Sequence, residues 1–279
     1  MTFELCDRRI LGAVRCIDAV TGLPVSSALR ITAKGVRMRP GRAGLVVIQD
    51  AQGWPSLAEI TSSFEQQPSA APAGESWPET LTLFVQDPLG HYLSRTALIS
   101  LPRVPSRGAQ ASLFTPITLL LYPSPMAPVR AAWAVLRVTV LATTPGGGSA
   151  RRLPWAWMRL RLVEAGQPSS PPLTQALADW RGEALLILRS LPLGFGASGT
   201  RIKELSGDVE VVFDPNLETL PESLTALEPP EANKNYWPDP DFLDGSDARL
   251  RDGFAASQVL VAGRDPPARL LVNLQDRSP

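Results

Sequence analysis

Apolar and polar residues alternate along this chain in short runs, each closed by a turn residue, and a period of two predicts strands. The first run, Ala13-Val14-Arg15-Cys16-Ile17-Asp18, leads through Val20-Thr21-Gly22-Leu23-Pro24-Val25 into Ala28-Leu29-Arg30-Ile31-Thr32-Ala33. That order predicts a strand, a tight turn and a strand. After a basic turn, Gly44-Leu45-Val46-Val47-Ile48-Gln49 gives a third apolar run. Leu81-Thr82-Leu83-Phe84-Val85-Gln86 alternates again and stops at Asp87-Pro88-Leu89-Gly90, and Tyr92 to Leu101 and Leu113 to Tyr122 predict two more strands. Residues 66–78 turn to Pro, Ser, Ala, Gly and Glu. Such a composition buries too little apolar area to order itself and predicts an exposed loop.

The second half repeats this order. Trp133-Ala134-Val135-Leu136-Arg137-Val138-Thr139-Val140 answers the strand through Val14, and a glycine turn at Gly146-Gly147-Gly148 follows it. Leu153-Pro154 and the run to Leu162 answer Leu23-Pro24 and the strand through Ile31. Trp180-Arg181-Gly182-Glu183-Ala184-Leu185-Leu186-Ile187-Leu188 answers Arg42 to Ile48, and Val209-Glu210-Val211-Val212-Phe213-Asp214-Pro215 answers Leu81 to Pro88 with the same Asp-Pro stop. The offsets are all about 120 to 140 residues, the size of one domain, and predict a duplication with altered loops.

From Glu228 to Asp241 neither period is present. Residues 228–279 therefore predict an extended, proline-rich arm, with a small terminal hairpin between Ser257–Ala262 and Arg269–Leu274. Two strands alone are not stable in water, so the hairpin has to pack on a domain or a neighbour. The expected fold is all-β: a first antiparallel sandwich over residues 1–125, a second over 126–227, and the arm over 228–279.

Composition sharpens this reading. With 28 prolines and 21 glycines in 279 residues, long helices are disfavoured, because proline lacks a backbone donor and clashes inside a helix. Lys+Arg 27 balances Asp+Glu 27, so the chain lacks the basic excess from which nucleic-acid-binding domains draw most of their affinity, and no nucleic-acid partner is expected. Glu4, Asp7, Arg8 and Arg9 interrupt any signal-peptide core, and the longest apolar run, Ile117 to Tyr122, is too short to cross a bilayer. A cytoplasmic protein without a membrane span is the expectation. Cys6 and Cys16 match no zinc or redox spacing and are expected to be free and buried.

Candidate chemistry is sparse. The single histidine, His91, lies in the turn after Asp87 with no nucleophile elbow beside it, and reads as a surface turn residue. Asp239-x-Asp241-x-x-Asp244-Gly245-x-Asp247 has the carboxylates and glycine of a calcium loop. Its spacing departs from the helix–loop–helix pattern, and Pro238 and Pro240 stiffen its start, so it reads as a solvated acidic linker. The run Gly146-Gly147-Gly148 lacks the Lys-Ser/Thr of a phosphate loop. Glu183 and Glu204, or Asp208 and Glu210, fall on outer strand faces by alternation. No catalytic, cofactor or metal site is expected. Arg151, Arg152, Arg159 and Arg161 flank Trp155 and Trp157. Alternation turns Trp155, Trp157 and Arg159 one way and the aliphatic set Ala156, Met158, Leu160 and Leu162 the other. The aliphatic set belongs in the core, which leaves the tryptophans to an exposed face suited to a protein partner, with a sugar as the second ligand such a pair fits. Trp155, Trp157 and Arg159, with Tyr236 and Trp237 of the arm, make up the expected partner-binding set.

The opening pattern Val14-x-x-x-Asp18-x-x-Thr21-Gly22-x-Pro24-Val25, followed by a strand, a glycine and a strand, resembles the carboxypeptidase-regulatory-like and transthyretin-like β-sandwich modules. The resemblance implies scaffolding or adhesion rather than catalysis, although a fold does not fix a function. The runs Asp87-Pro88-Leu89-Gly90-His91-Tyr92-Leu93, Leu101-Pro102-Arg103 and Leu121-Tyr122-Pro123-Ser124-Pro125 are similar to proteins encoded with contractile phage-tail-like injection systems. That similarity implies a component of a particle assembled in the cytoplasm. The expected function is a non-enzymatic structural subunit that docks other protein subunits, copies of itself among them, through its sandwiches and arm. A carbohydrate- or cell-surface-binding module is the alternative.

Overall fold

The computed structural model describes residues 10–42, 44–49, 79–101, 103, 111–131, 133–143, 150–164, 167–168, 172–189, 194–195, 201–202, 204–217, 237–261 and 267–276. Among them the fold is all-β, with nineteen strands against one short α-helix and one 3-10 turn. The chain divides into two compact units. One comprises Met1–Ile17, Leu23–Pro88 and Thr96–Leu120, the other Asp18–Gly22, Leu89–Arg95 and Leu121–Pro279.

The first unit is built on β1 (Ile10–Asp18), β2 (Arg30–Ala33), β3 (Arg37–Pro40), β4 (Leu45–Gln49), β5 (Glu79–Gln86), β6 (Arg95–Leu101) and β7 (Ile117–Leu121). They form sheets ordered β3-β4-β1-β7 and β2-β5-β6. The sequence alternation becomes burial: Leu81, Leu83 and Val85 of β5 and Ala97, Ile99 and Leu101 of β6 are buried, while Leu98 and Ser100 between them are exposed. Cys16 is buried, as expected. Cys6 and the loop expected at 66–78 lie outside the described residues. The basic turn before Gly44 holds a strand, β3, paired antiparallel with β4 through Arg37↔Gln49 and Arg39↔Val47. Its arginines hide it in the sequence, because they guard the edge and leave only Met38 to mark the inner face.

The second unit is built on β8 (Ala134–Ala142), β9 (Arg151–Arg152), β10 (Trp157–Glu164), β11 (Gln167–Pro168), β12 (Thr174–Leu177), β13 (Glu183–Leu188), β14 (Gly194–Phe195), β15 (Arg201–Ile202) and β16 (Glu204–Phe213). The 3-10 turn Pro215–Leu217, the helix α1 (Pro240–Leu243), β17 (Arg251–Val261), β18 (Pro267–Val272) and β19 (Gln275–Asp276) follow. One sheet runs β13-β8-β18 with β9 on β8, the other β11-β10-β16-β17-β19 with β12 on β10, and β14 pairs with β15 alone. The two larger sheets share one core. Leu136, Val138 and Val140 of β8, Leu186 of β13 and Leu270 and Val272 of β18 meet Met158 and Leu160 of β10 and Val209, Val211 and Phe213 of β16. Each such side chain contributes about 1.5–3 kcal/mol when fully buried, so these inward stripes hold the unit together.

The strand order of the first unit recurs in the second, with β4-β1-β7 matched by β13-β8-β18 and β2-β5-β6 by β10-β16-β17. The register agrees too. Val14 faces Val46 across β1 and β4, and Val138 faces Ala184 across β8 and β13, both antiparallel. In each unit a glycine in the left-handed region precedes the second strand of that pair, Gly44 at φ 70° and Gly182 at φ 74°.

The expected arm is corrected by the same comparison. Residues 237–261 and 267–276 belong to the second unit. β17 runs antiparallel along β16 from Arg251↔Phe213 to Val261↔Glu204, and β18 runs parallel to β8 from Pro267↔Arg137 to Val272↔Ala142. They stand where β6 and β7 stand in the first unit. The expected hairpin does not form, since its two strands join different sheets, and the β8–β18 pair departs from an all-antiparallel fold. The prolines before Trp237 read in the sequence as the end of a domain, but the described residues on either side, 204–217 and 237–276, belong to one unit.

Gly182, at φ 74°, combines a left-handed backbone with little room: a Cβ there would lie 3.0 Å from the Leu153 carbonyl oxygen, whereas one at Gly90, at φ 69°, would meet nothing within 4 Å. Gly182→Ala is expected to cost about 2–4 kcal/mol in urea unfolding, combining left-handed strain with the clash, and Gly90→Ala about 1–2 kcal/mol from strain alone. Equal losses would show that the Leu153 contact is not tight.

Candidate functional site

The outer face of the β10–β16–β17 sheet gathers the side chains with most chemical character. Register sets Arg159, Glu210 and Phe254 in one row across the three strands, and Trp157, Val212 and Asp252 in the next. These residues alternate with Met158, Leu160, Val209 and Val211, which enter the core, so they face away from it. Arg159 lies 4.2 Å over the Trp157 ring and pairs with Asp244 at 2.6 Å and Glu210 at 3.8 Å. Arg161 reaches the same Glu210 at 2.9 Å.

A short clip is fastened over part of this face. Asp239 caps α1, its carboxylate accepting from the Asp241 N–H at 3.1 Å, and Pro240 opens the helix with the φ that a first turn needs. Trp237 and Leu243 are buried on either side. Arg95, itself 1% exposed, donates Nη2 to Asp239 at 3.1 Å and to Asp241 at 2.5 Å. A buried guanidinium without a carboxylate would cost several kcal/mol, so Arg95 and the clip require each other. Burial pushes the Tyr122 hydroxyl above the ordinary tyrosine value, with the Trp157 indole and Arg95 opposing the shift.

Beside the clip the face stays open as a cleft of about 360 Å³, lined by Arg159, Glu210, Asp252, Phe254, Asn273 and Gln275. Phe254 is 53% exposed. An apolar ring, an anchored guanidinium, two carboxylates and two amides suit recognition of a polar chain. Among the described residues the lining contains no serine, cysteine or histidine to act as a nucleophile or base.

Of the expected partner-binding set, Arg159 alone reaches this open surface. Trp155 and Trp157 are 2% and 0% exposed, which corrects their reading as a surface pair. Trp157 does face away from the core, but it is roofed by Arg159. Trp155 precedes β10, in a turn at φ 59°, where strand alternation does not apply. Its backbone N–H donates to the Asp179 carbonyl at 3.1 Å, and its ring lies 6.4 Å from Trp180. Trp237 is 5% exposed, and Tyr236 lies outside the described residues. Sequence reasoning missed Asp252, Phe254, Asn273 and Gln275, because a cleft between strands distant in sequence is visible only once their pairing is known.

The acidic run is also spoken for, with Asp239 and Asp241 on Arg95, Asp244 on Arg159 and Asp247 on Arg249 at 2.9 Å. No group of three or more ligating side chains able to hold a metal occurs among the described residues. His91 is exposed, its carbonyl accepting from the Ser124 N–H at 2.8 Å. The segments Asp87–Leu93 and Leu121–Pro125 are neighbours, with Tyr92 bridged to Pro123 and the Leu93 N–H donating to the Tyr122 carbonyl at 2.9 Å. Among the described residues no helix is long and apolar enough to cross a membrane. No family model matches the chain, and no curated protein and no solved structure matches it.

A second buried charge braces the turn that holds Trp155. Asp179 accepts from the Arg181 and Glu183 N–H groups at 2.8 and 3.0 Å and pairs with the Arg181 guanidinium. Burial pushes its carboxyl above the ordinary aspartate value, and the Glu183 N–H and Arg181 oppose that shift. The folded chain therefore holds this proton more tightly than the unfolded chain. The stabilising contribution falls as pH rises from the ordinary aspartate value through the raised one, and is constant above it. The stability of wild type minus that of Asp179→Asn, taken from urea midpoints, is expected to fall over that window. A difference that grows with pH would place the native carboxyl below its ordinary range.

Proposed function

We propose that this chain is a non-catalytic assembly subunit made of two related transthyretin-like β-sandwich modules, and that its second unit docks a neighbouring protein subunit in the cleft beside Arg159. The observation that carries the proposal is the Arg159–Glu210–Phe254 row, an exposed aromatic and an arginine set on paired strands. These residue types supply much of the energy at protein interfaces when they are held rigid. Arg159 is already fixed by Trp157 and Asp244, so little freedom is lost on docking. The module assignment draws support from the repeated strand order and from the Asp18 turn. There one carboxylate oxygen accepts from the Val20 and Thr21 N–H groups at 2.7 and 3.1 Å, and the other from the Tyr92 hydroxyl at 3.0 Å. The assembly we propose is a contractile phage-tail-like particle, on the strength of the sequence similarity. Docking through residues 228–279 as a free arm is not part of the proposal.

Phe254 beside Asp252, Asn273 and Gln275 also favours a second reading, a saccharide stacked on the ring and bonded by the amides. Phe254→Ala separates the two. The exposed ring contributes little to folding, so stability should change by about 0.5 kcal/mol or less. Tagged wild-type chain produced in its own host is expected to sediment with a large particle, and the variant mostly as free protein. Wild type that sediments only as free protein, or a variant that incorporates equally well, contradicts the proposal. A glycan-array signal lost in the variant supports the second reading.

A further inference from the structure

We propose that the outer edge of β3, which pairs with no further strand among the described residues, receives an acidic, extended segment of a partner protein, which joins the β3-β4-β1-β7 sheet as an added strand. Zero net charge over the whole chain conceals a local excess: from Arg30 to Arg42 the sequence carries Arg30, Lys34, Arg37, Arg39 and Arg42 and no carboxylate. All five are exposed. Among the described residues none of them enters an ion pair. Among the described residues β3 ends its sheet, with β4 as its one strand neighbour. Alternate backbone groups along it therefore point away from β4, a template for one more strand.

Cations on a sheet edge ordinarily guard it, since two copies of the same edge repel each other. The same charges select a partner of opposite sign. Arg37 and Arg39 share one face by the period of two, and the half-buried Met38 lies on the other. The complementary strand thus has carboxylates at alternate positions and an apolar residue between them. Pro40 has no N–H to offer, so the added pairing is short and charge complementarity has to supply much of the affinity. A nucleic acid fits less well. Residues 30–42 contain no aromatic on which a base would stack, and a phosphate backbone makes no use of a strand edge.

The test is fluorescence anisotropy of the full-length chain with a labelled Glu-Val-Glu-Val-Glu-Val-Glu peptide at low salt. Saturable binding is expected. It should weaken about ten-fold or more for the Arg37→Glu/Arg39→Glu variant, and by a similar factor for a peptide of the same charge N-methylated along its pairing edge. Both arginines are exposed, so the variant is expected to keep the wild-type melting curve. A single Arg37→Gln substitution, should the double variant melt early, must still weaken binding. Absence of saturable binding, undiminished binding of the N-methylated peptide, undiminished binding by the arginine variants, or tighter binding of single-stranded DNA about twenty nucleotides long than of the peptide would each overturn the proposal.

Discussion

The second unit depends on β8 being flanked on both sides. Its inward residues Leu136, Val138 and Val140 are almost wholly buried, and they remain so because β13 pairs along one edge and β18 along the other. β18 brings Leu270 and Val272 to zero exposure in the same core. Those two side chains come from the last ten described residues. Removing them opens the edge of β8 and leaves a cavity lined by leucine and valine, the kind of loss that costs several kcal/mol where the surroundings cannot collapse. The end of the chain is therefore a structural element of the core.

From that constraint the candidate site follows. β17 runs along β16 ahead of β18, and in doing so it sets Phe254 opposite Glu210 and Asp252 opposite Val212. β19 pairs back on β17 and places Gln275 opposite Asp252. The cleft is thus a by-product of closing the core, with one wall from the middle of the chain and one from its end. Its remaining wall, Arg159, is held by the clip through Asp244, and the clip is tied down by Arg95.

The alternating runs make most of the strands legible in the sequence, because a half-buried strand writes its two faces directly into it. The ordered landmarks Gly44 and Gly182, and the Asp-Pro stops after β5 and β16, located the repeat for a physical reason: a left-handed turn and a strand end each restrict the residue type. Legibility failed where one local rule was carried past its range. Alternation assigns Trp155 a strand face although it sits in a turn, β3 offers only Met38 to mark its inner face, and the prolines around residues 229–240 conceal that two more strands follow. The cleft was illegible for a different reason, since nothing in residues 251–275 alone states which strand they will lie beside.

Hydrogen exchange of the native full-length chain tests the closure of the core by its final strands most directly. Amides of β18 are expected to exchange as slowly as those of β8 and β16, in one cooperative unit with them. Exchange of residues 267–272 at the rate of a free peptide, while β8 and β16 remain protected, would contradict the account.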